Sequence, residues 1–506
     1  MTLRTAAPPT IETELLIVPW FETEDLTTFP GLDDATAGET SRALASGEFK
    51  AHLHDVFVTP VRSTRWRARR IMLAGAGLRS ECSHFALRRL ATSSALAARQ
   101  RRVESLAFML RGEEGAADPA RVALHVQAIA EGLTLAEFDG GTYKTSEPLP
   151  GYPVRCAVVV PGPAGSHVES SLLTALNRGR TLGECSNLAR GLANEPGNTL
   201  TPREFASRAS AIAIDGNVAA EVLDEKRIAE LGMGLLLGVA RGSSEPPRLM
   251  VFRHTPAAAP SSGPVLGLIG KGITFDTGGI SIKPAVGMEQ MKDDMAGGAA
   301  VACAMRAIGL LNAPIQVIGI VPATENMPSG RAIKPGDVLK SAEGKTVEVI
   351  NTDAEGRLVL GDALWYAGHL GATHLVDVAT LTGAVVVALG HSTSGILGTP
   401  AGWVDHVKRV ADCAGDRVWP LPLFDDYREQ LESDIADLKN TGGRPAGTIT
   451  AAMFLKEFTA GLPWAHIDIA GTAWAGDAKP YQPKGPTGVA VRTLAELAFT
   501  SDAWPG

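Results

Sequence analysis

The run Asn351-Thr352-Asp353-Ala354-Glu355-Gly356-Arg357-Leu358 sets two carboxylates two residues apart, with an arginine two further on. In extended backbone, residues i and i+2 share a face, so Asp353, Glu355 and Arg357 could converge on one spot. Carboxylates held together repel unless a proton or a cation lies between them. A second stretch, GKGITFDTGGISIKPAVGMEQMKDDM (270–295), carries Lys271, Asp276, Lys283 and Asp294. Lys271 follows an apolar run, where a lysine must pair, lose its proton or reach solvent. Asp276 precedes a Gly-Gly turn that lets the backbone come close to a bound group.

Together these residues offer four carboxylates and two lysines. Buried without counter-charge, four carboxylates would be untenable. Two divalent cations resolve the conflict, with hard oxygen ligands suited to zinc, manganese or magnesium and a neutral lysine nitrogen suited to the zinc-like ions. Two metals about 3.5–4 Å apart, bridged by water, would form a hydrolytic centre. Each residue also has an ordinary role. Lys271 could reach solvent along its stem, Asp276 could shape a turn, and Asp294 could complement a helix dipole. Spacing leaves both readings open, and the acid pair by itself does not separate a peptidase from a phosphatase.

The elements that would position these residues can be read from hydrophobic patterning. Apolar strand-like runs at 265–270, 315–322, 374–379 and 466–471 alternate with small-residue helical runs such as 297–311. TVEVI (346–350) reads as a strand before the octapeptide, and RLVLGDALWYAGHL as a helix after it. Strand–helix alternation predicts a mostly parallel sheet covered by helices. Residues 14–20, 122–133 and 154–162 supply core elements of an earlier, smaller unit, and the Gly/Pro/Ser-rich stretch 161–171 reads as a linker. The expectation is an α/β protein: a smaller N-terminal α/β domain over 1–165, then a larger catalytic α/β domain over 166–506 with a central, mostly parallel or mixed sheet flanked by helices.

The 506-residue length calls for two or more domains. With 45% hydrophobic and 20% charged residues, the balance is that of a soluble globular protein. A net charge of −8 disfavours nucleic acid or an anionic membrane as obligatory partner. Five scattered cysteines without C-x-x-C signal neither a disulfide framework nor a thiolate zinc site. No signal peptide and no membrane-length apolar run is evident, so a cytoplasmic protein is expected. Between Arg62 and Arg102 stand eleven arginines and one acid, Glu81. They read as solvated helix faces, with a basic patch for nucleic acid as the alternative.

The octapeptide NTDAEGRL (351–358) matches the signature of the leucine aminopeptidase (cytosol aminopeptidase) family of di-metal exopeptidases, which the chain resembles from about Ala189 onward. The blocks 189–202, 270–284, 291–300, 379–384, 442–458, 466–471 and 485–494 resemble that family's blocks in order; the N-terminal part matches weakly. The resemblance implies removal of an N-terminal residue from peptides by attack of a water bridging two metals (Zn²⁺ and/or Mn²⁺). Lys271, Asp276, Asp294 and Glu355 would hold the tighter metal. Asp276, Asp353 and Glu355 would hold the more exchangeable one, with the Asp353 carbonyl contributing. Lys283 would polarise the scissile carbonyl, and Arg357 would hold a bicarbonate ion acting as general base. Met291, Thr380, Gly383 and Ala451 would line a pocket of Leu/Met-type preference. The resemblance further implies a homohexamer, and some relatives bind nucleic acid as a second activity. No H-E-x-x-H motif is present, which speaks against a mononuclear zincin. A different di-metal hydrolase, such as a phosphoesterase, is the competing enzyme class.

Overall fold

The computed structural model describes residues 1–111, 118–146, 148–162, 166–256 and 263–505. The chain divides into two compact units, one of Met1–Asn187 with Asp477–Lys484 and one of Leu188–Gly476 with Gly485–Gly506. Both are α/β. The stretch expected to be a linker instead becomes helical from its middle: the helix Ser166–Asn194 starts there, and residues 163–165 lie outside the described set. That helix begins at Ser166, immediately after the expected boundary at 165/166.

The first unit is built on a six-stranded sheet in the order Thr2–Thr5, Arg155–Val160, Ser105–Met109, Leu15–Trp20, Arg70–Gly75, Val56–Pro60. All neighbours are parallel except the last pair. Every residue of Leu15–Trp20 is buried, as a parallel strand covered on both faces requires. Leu15 and Ile17 join one core with the helices His84–Gln100 and Pro119–Leu135, while Leu16, Val18 and Trp20 join another. Successive side chains thus alternate between the two layers. Several of the clustered arginines are committed to carboxylates: Arg70 to Glu14 at 2.6 Å, Arg88 to Glu131 at 3.0 Å, Arg99 to Asp139 at 3.6 Å, and Arg79 to Glu24. Arg88 and Arg99 are buried rather than solvated.

The second unit carries a nine-stranded mixed sheet. Its centre is four parallel strands, Trp464–Asp468, His374–Ala379, Val265–Gly270 and Gln316–Asn326. Gly272–Asp276 continues beside the far end of Gln316–Asn326. Antiparallel strands at both flanks make the sheet mixed. The helix Glu355–His369 packs Leu358, Leu360 and Leu364 over Ile269, Ile320, Leu375 and Trp464. The small-residue helix Ala296–Leu310 approaches the sheet backbone closely: a Cβ on Gly270 would meet the Gly297 carbonyl oxygen at 2.5 Å. The apolar segment after Thr382 forms the helix Gly383–Leu389. Among the described residues no helix is long and apolar enough to cross a membrane.

Candidate metal centre

The four central strands end on the same side, and ligand sites of open α/β sheets lie outside those carboxyl ends. Lys271 follows Gly270 at one such end, and Thr380 follows Ala379 at the next. Lys271 is 3% exposed. Its Nζ lies 2.7 Å from Asp294 Oδ2 and 2.9 Å from Glu355 Oε1, and donates to the Thr380 carbonyl at 3.0 Å. The Thr380 hydroxyl donates to Asp294 Oδ1 at 2.6 Å. Asp294 follows the 3-10 turn Met288–Asp293, two residues before the helix Ala296–Leu310.

Asp276 ends its strand opposite Asn326. Asn326 Nδ2 donates to Asp276 Oδ1 at 2.8 Å, to Glu355 Oε2 at 3.3 Å and to the Thr352 carbonyl at 3.0 Å. After Asp276 the chain turns through Gly278 and Gly279, both left-handed at φ 85° and 68°. A Cβ on Gly278 would stand 2.7 Å from Asp353 Oδ1, so that turn must be side-chain free. The Thr352 hydroxyl donates to the Gly278 carbonyl at 2.6 Å and accepts from the Ser281 N–H at 2.8 Å. These bonds stitch the two chemically loaded segments together. Lys283 then reaches Asp276 Oδ2 at 2.7 Å and Asp353 Oδ1 at 2.5 Å.

Asp276, Asp353 and Glu355 each offer an oxygen within 4.8 Å of the others. With Asp294, four carboxylates face two ammonium groups, leaving two negative charges uncompensated. Burial pushes the carboxyls of Asp294, Asp353 and Glu355 up. Burial alone would push both ammoniums down, but the carboxylates outweigh it and hold Lys271 and Lys283 well above the usual lysine range. Asp294 Oδ2 and Asp353 Oδ1 accept no aligned hydrogen bond despite their ion-pair distances. Converging hard oxygens with surplus negative charge fit divalent cations.

Arg357 departs from the extended-backbone expectation. The helix starts at Glu355, so two further residues turn Arg357 about 200° away from Glu355. Its Nη1 donates to the Asn440 carbonyl at 2.9 Å, and its Nε has no partner. Burial pulls the guanidinium down to about 10. Asn440, fully buried, also clamps the octapeptide: Oδ1 accepts from the N–H of Ile350 at 2.8 Å, and Nδ2 donates to the Asn351 carbonyl at 2.7 Å.

The expected pocket residues divide. Thr380 joins the centre directly. Met291 lies in the turn before Asp294, and Gly383 is the exposed first residue of the helix Gly383–Leu389. Ala451 is fully buried inside the helix Gly447–Lys456. What the structure sets beside Ala379 and Leu381 is the segment after Asp468: the Ile469 N–H donates to the Ala379 carbonyl at 2.9 Å. Asn326, Thr352 and Asn440 had no role in the sequence reading. Thr352 lies inside the octapeptide, whereas nothing local to Asn326 or Asn440 signals their contacts.

Models of the cytosol aminopeptidase family match the chain twice, the catalytic domain over residues 187–495 and the N-terminal domain over 17–147. A probable cytosol aminopeptidase of Solibacter usitatus is 47% identical, covering 97% of each chain. One of Koribacter versatilis is 44% identical, covering 98% of each. Among solved structures, a tomato leucine aminopeptidase variant superposes with a TM-score of 0.86 at 30% identity, covering 98% of this chain and 96% of that one. The bottromycin maturation enzyme BotP in complex with Mn superposes at 0.83 with 33% identity, covering 96% and 99%. With end-to-end relatives and both family models matched, this chain belongs to the cytosol aminopeptidase family and is a metal-dependent aminopeptidase.

Proposed function

We propose that the protein removes single N-terminal residues, of Leu or Met type, from peptides at a centre of two divalent cations, Zn²⁺ and/or Mn²⁺. The observation that carries this reading is the convergence of Asp276, Asp353 and Glu355 within 4.8 Å beside Lys271 and Asp294. Asp276, Asp294 and Glu355 would hold one cation together with Lys271, whose ammonium proton the cation's charge would have to displace, and Asp276, Asp353 and Glu355 would hold the other. The bound cations would supply a water of lowered pKa and a Lewis acid for the substrate carbonyl.

The residues of the chain do the rest. Lys283, part-exposed beside Asp276 and Asp353, donates to the scissile carbonyl oxygen as negative charge develops there. Arg357, with its unpartnered Nε, would hold a planar bicarbonate ion, which would supply a general base beside the attacking water. Asn326 and Asn440 keep the acids and the arginine in place through hydrogen bonds to both segments. Met291, Thr380 and Gly383 border the side-chain pocket, with Ala451 behind it. A homohexamer working in the cytoplasm completes the reading.

Metal analysis of the purified protein, coupled to a panel of amino-acid anilides, tests it. The expected result is two divalent ions per chain, fastest turnover of Leu and Met anilides, loss of activity on chelation and recovery with Mn²⁺ or Zn²⁺. Full activity after demetallation, or turnover of a phosphate ester instead of an anilide, would overturn it.

A further inference from the structure

On two acids of the centre, neutral donors of the chain already claim one of the two carboxylate oxygens. Asp276 Oδ1 accepts from the Gly278 N–H at 2.8 Å and from Asn326 Nδ2 at 2.8 Å. Two donors occupy both lone pairs of one carboxylate oxygen, so only Oδ2 keeps lone pairs for a cation. Lys283 Nζ lies 2.7 Å from that oxygen. Asp294 is held in a similar way. Its Oδ1 accepts from the Thr380 hydroxyl at 2.6 Å and from Lys271 Nζ at 2.8 Å. Its Oδ2 is buried and accepts no aligned hydrogen bond.

Strand ends fix both donors. Asn326 closes the strand Gln316–Asn326 in register with Asp276. Its own carbonyl accepts from the Thr277 N–H at 3.0 Å and from the Thr277 hydroxyl at 2.8 Å. Its amide nitrogen meets three acceptors: Asp276 Oδ1, the Thr352 carbonyl at 3.0 Å and Glu355 Oε2 at 3.3 Å. Turning the amide over would set its oxygen against three others. Its Oδ1 lies over Gly279, where a Cβ would come within 2.8 Å. Thr380 follows the strand His374–Ala379, and its carbonyl accepts from Lys271 Nζ at 3.0 Å.

An anchored oxygen limits the ions that fit. Ca²⁺ takes about six to eight oxygen ligands and often draws on both oxygens of a carboxylate. Zn²⁺ is satisfied by about four ligands and Mn²⁺ by about six. We infer that Asn326 and Thr380 are positioning residues for the metal centre: by leaving Asp276 and Asp294 one free oxygen each, they favour Zn²⁺ or Mn²⁺ over Ca²⁺. This rests on the two-cation reading of the site.

Thr380→Val keeps the side-chain shape and removes the hydroxyl, whereas Thr380→Ser keeps the hydroxyl. Asn326→Leu keeps the volume and removes the amide. The full chain, stripped by chelation, is titrated with Mn²⁺ alone and in competition with Ca²⁺, and free Mn²⁺ is read by electron paramagnetic resonance. No substrate is present, so changes in the side-chain pocket do not enter the reading. Circular dichroism reports the fold.

The expected result is two Mn²⁺ ions bound per parent chain. Thr380→Val, which touches Asp294 alone, should weaken one of them about tenfold or more, and Asn326→Leu, which faces both shared acids, should weaken both. The ratio of the Ca²⁺ to the Mn²⁺ dissociation constant should fall about tenfold in each variant, because a freed oxygen serves the larger ion. Thr380→Ser should stay within about threefold of the parent. Parent affinity in Thr380→Val, a Thr380→Ser as weak as Thr380→Val, or equal weakening of Mn²⁺ and Ca²⁺ would overturn the inference. If Asn326→Leu does not fold, the two Thr380 variants decide by the same readings. A parent chain that binds no Mn²⁺ would sink the two-cation reading and the inference with it; two bound ions with unchanged variants would sink the inference alone.

Discussion

Lys271 lies directly against Gly356: a Cβ on Gly356 would stand 2.6 Å from Lys271 Cε and 2.8 Å from Nζ. The glycine of the octapeptide is thus the space through which a lysine at the end of the strand Val265–Gly270 reaches Asp294 and Glu355. Gly356 is the second residue of the helix Glu355–His369, where glycine is otherwise an unfavourable choice. Its lack of a side chain serves the centre rather than the helix.

Gly356→Ala should therefore cost both activity and stability. Alanine favours the helix by less than about 1 kcal/mol, whereas displacing Lys271 strips buried Asp294 and Glu355 of their counter-charge, so the thermal midpoint should fall. Lys271 must move, so kcat should fall about tenfold or more, with a matching loss of bound metal. Metal analysis beside steady-state kinetics checks this; an active variant with full metal would show that Lys271 has room to spare.

Lys283 bridges Asp276 and Asp353 from the more exposed side of the centre. Lys283→Ala should cost about 100-fold or more in kcat, the scale of one lost oxyanion donor. Asp353→Asn should be as damaging, because it removes one of the three converging carboxylates. Both variants should keep the parent circular dichroism spectrum. Parent-like rates in either would dismantle the site assignment.

Asn440 joins segments about 90 residues apart, holding Ile350, Asn351 and, through its own carbonyl, Arg357. Asn440→Ala would leave buried backbone groups unpaired. The expected loss is about 3 kcal/mol of unfolding free energy, read from denaturant curves. A loss below about 0.5 kcal/mol would mean that the backbone finds other partners.

Asp362 is fully buried and accepts from the N–H groups of Leu235 and Leu236 at 3.0 Å and of Ala342 at 2.9 Å. Burial raises its carboxyl to about 7, even against those three donors. An unfolded aspartate titrates near about 3.9. Between those values the native state holds a proton that the unfolded chain has released, so this group's contribution falls as pH rises from about 4 to about 7 and is level above. Asp362→Asn cannot titrate. It should be less stable at low pH, having lost an acceptor, yet show a flatter thermal midpoint across that window. An unchanged slope would mean that the carboxyl is not the titrating group.

The central strands were legible because buried parallel strands are written as short apolar runs: the expected runs at 265–270 and 374–379 are the strands Val265–Gly270 and His374–Ala379. The octapeptide and the segment 270–295 were legible because acids and lysines of fixed spacing need a reason to be buried together. The linker was misread because glycine, proline and serine at 161–171 signal a break, while the helix Ser166–Asn194 forms from its second half regardless. The direction of Arg357 differs from the extended-backbone expectation for a similar reason. Whether residues two apart share a face depends on whether the backbone is extended or helical, and the helix begins at Glu355.

By itself the sequence determined which groups are candidates for the chemistry: four acids, two lysines and an arginine, delivered by two segments. Only the tertiary structure decided which of them meet and what holds them. Asn326 is delivered to Asp276 and Glu355 by strand register, and Asn440 to the octapeptide by a chain return of about 90 residues. Asp377 and His466, both buried, meet only because two strands distant in sequence lie side by side. Hydrogen bonds and charge balance act over a few ångströms of space, and local spacing carries no record of partners that far along the chain.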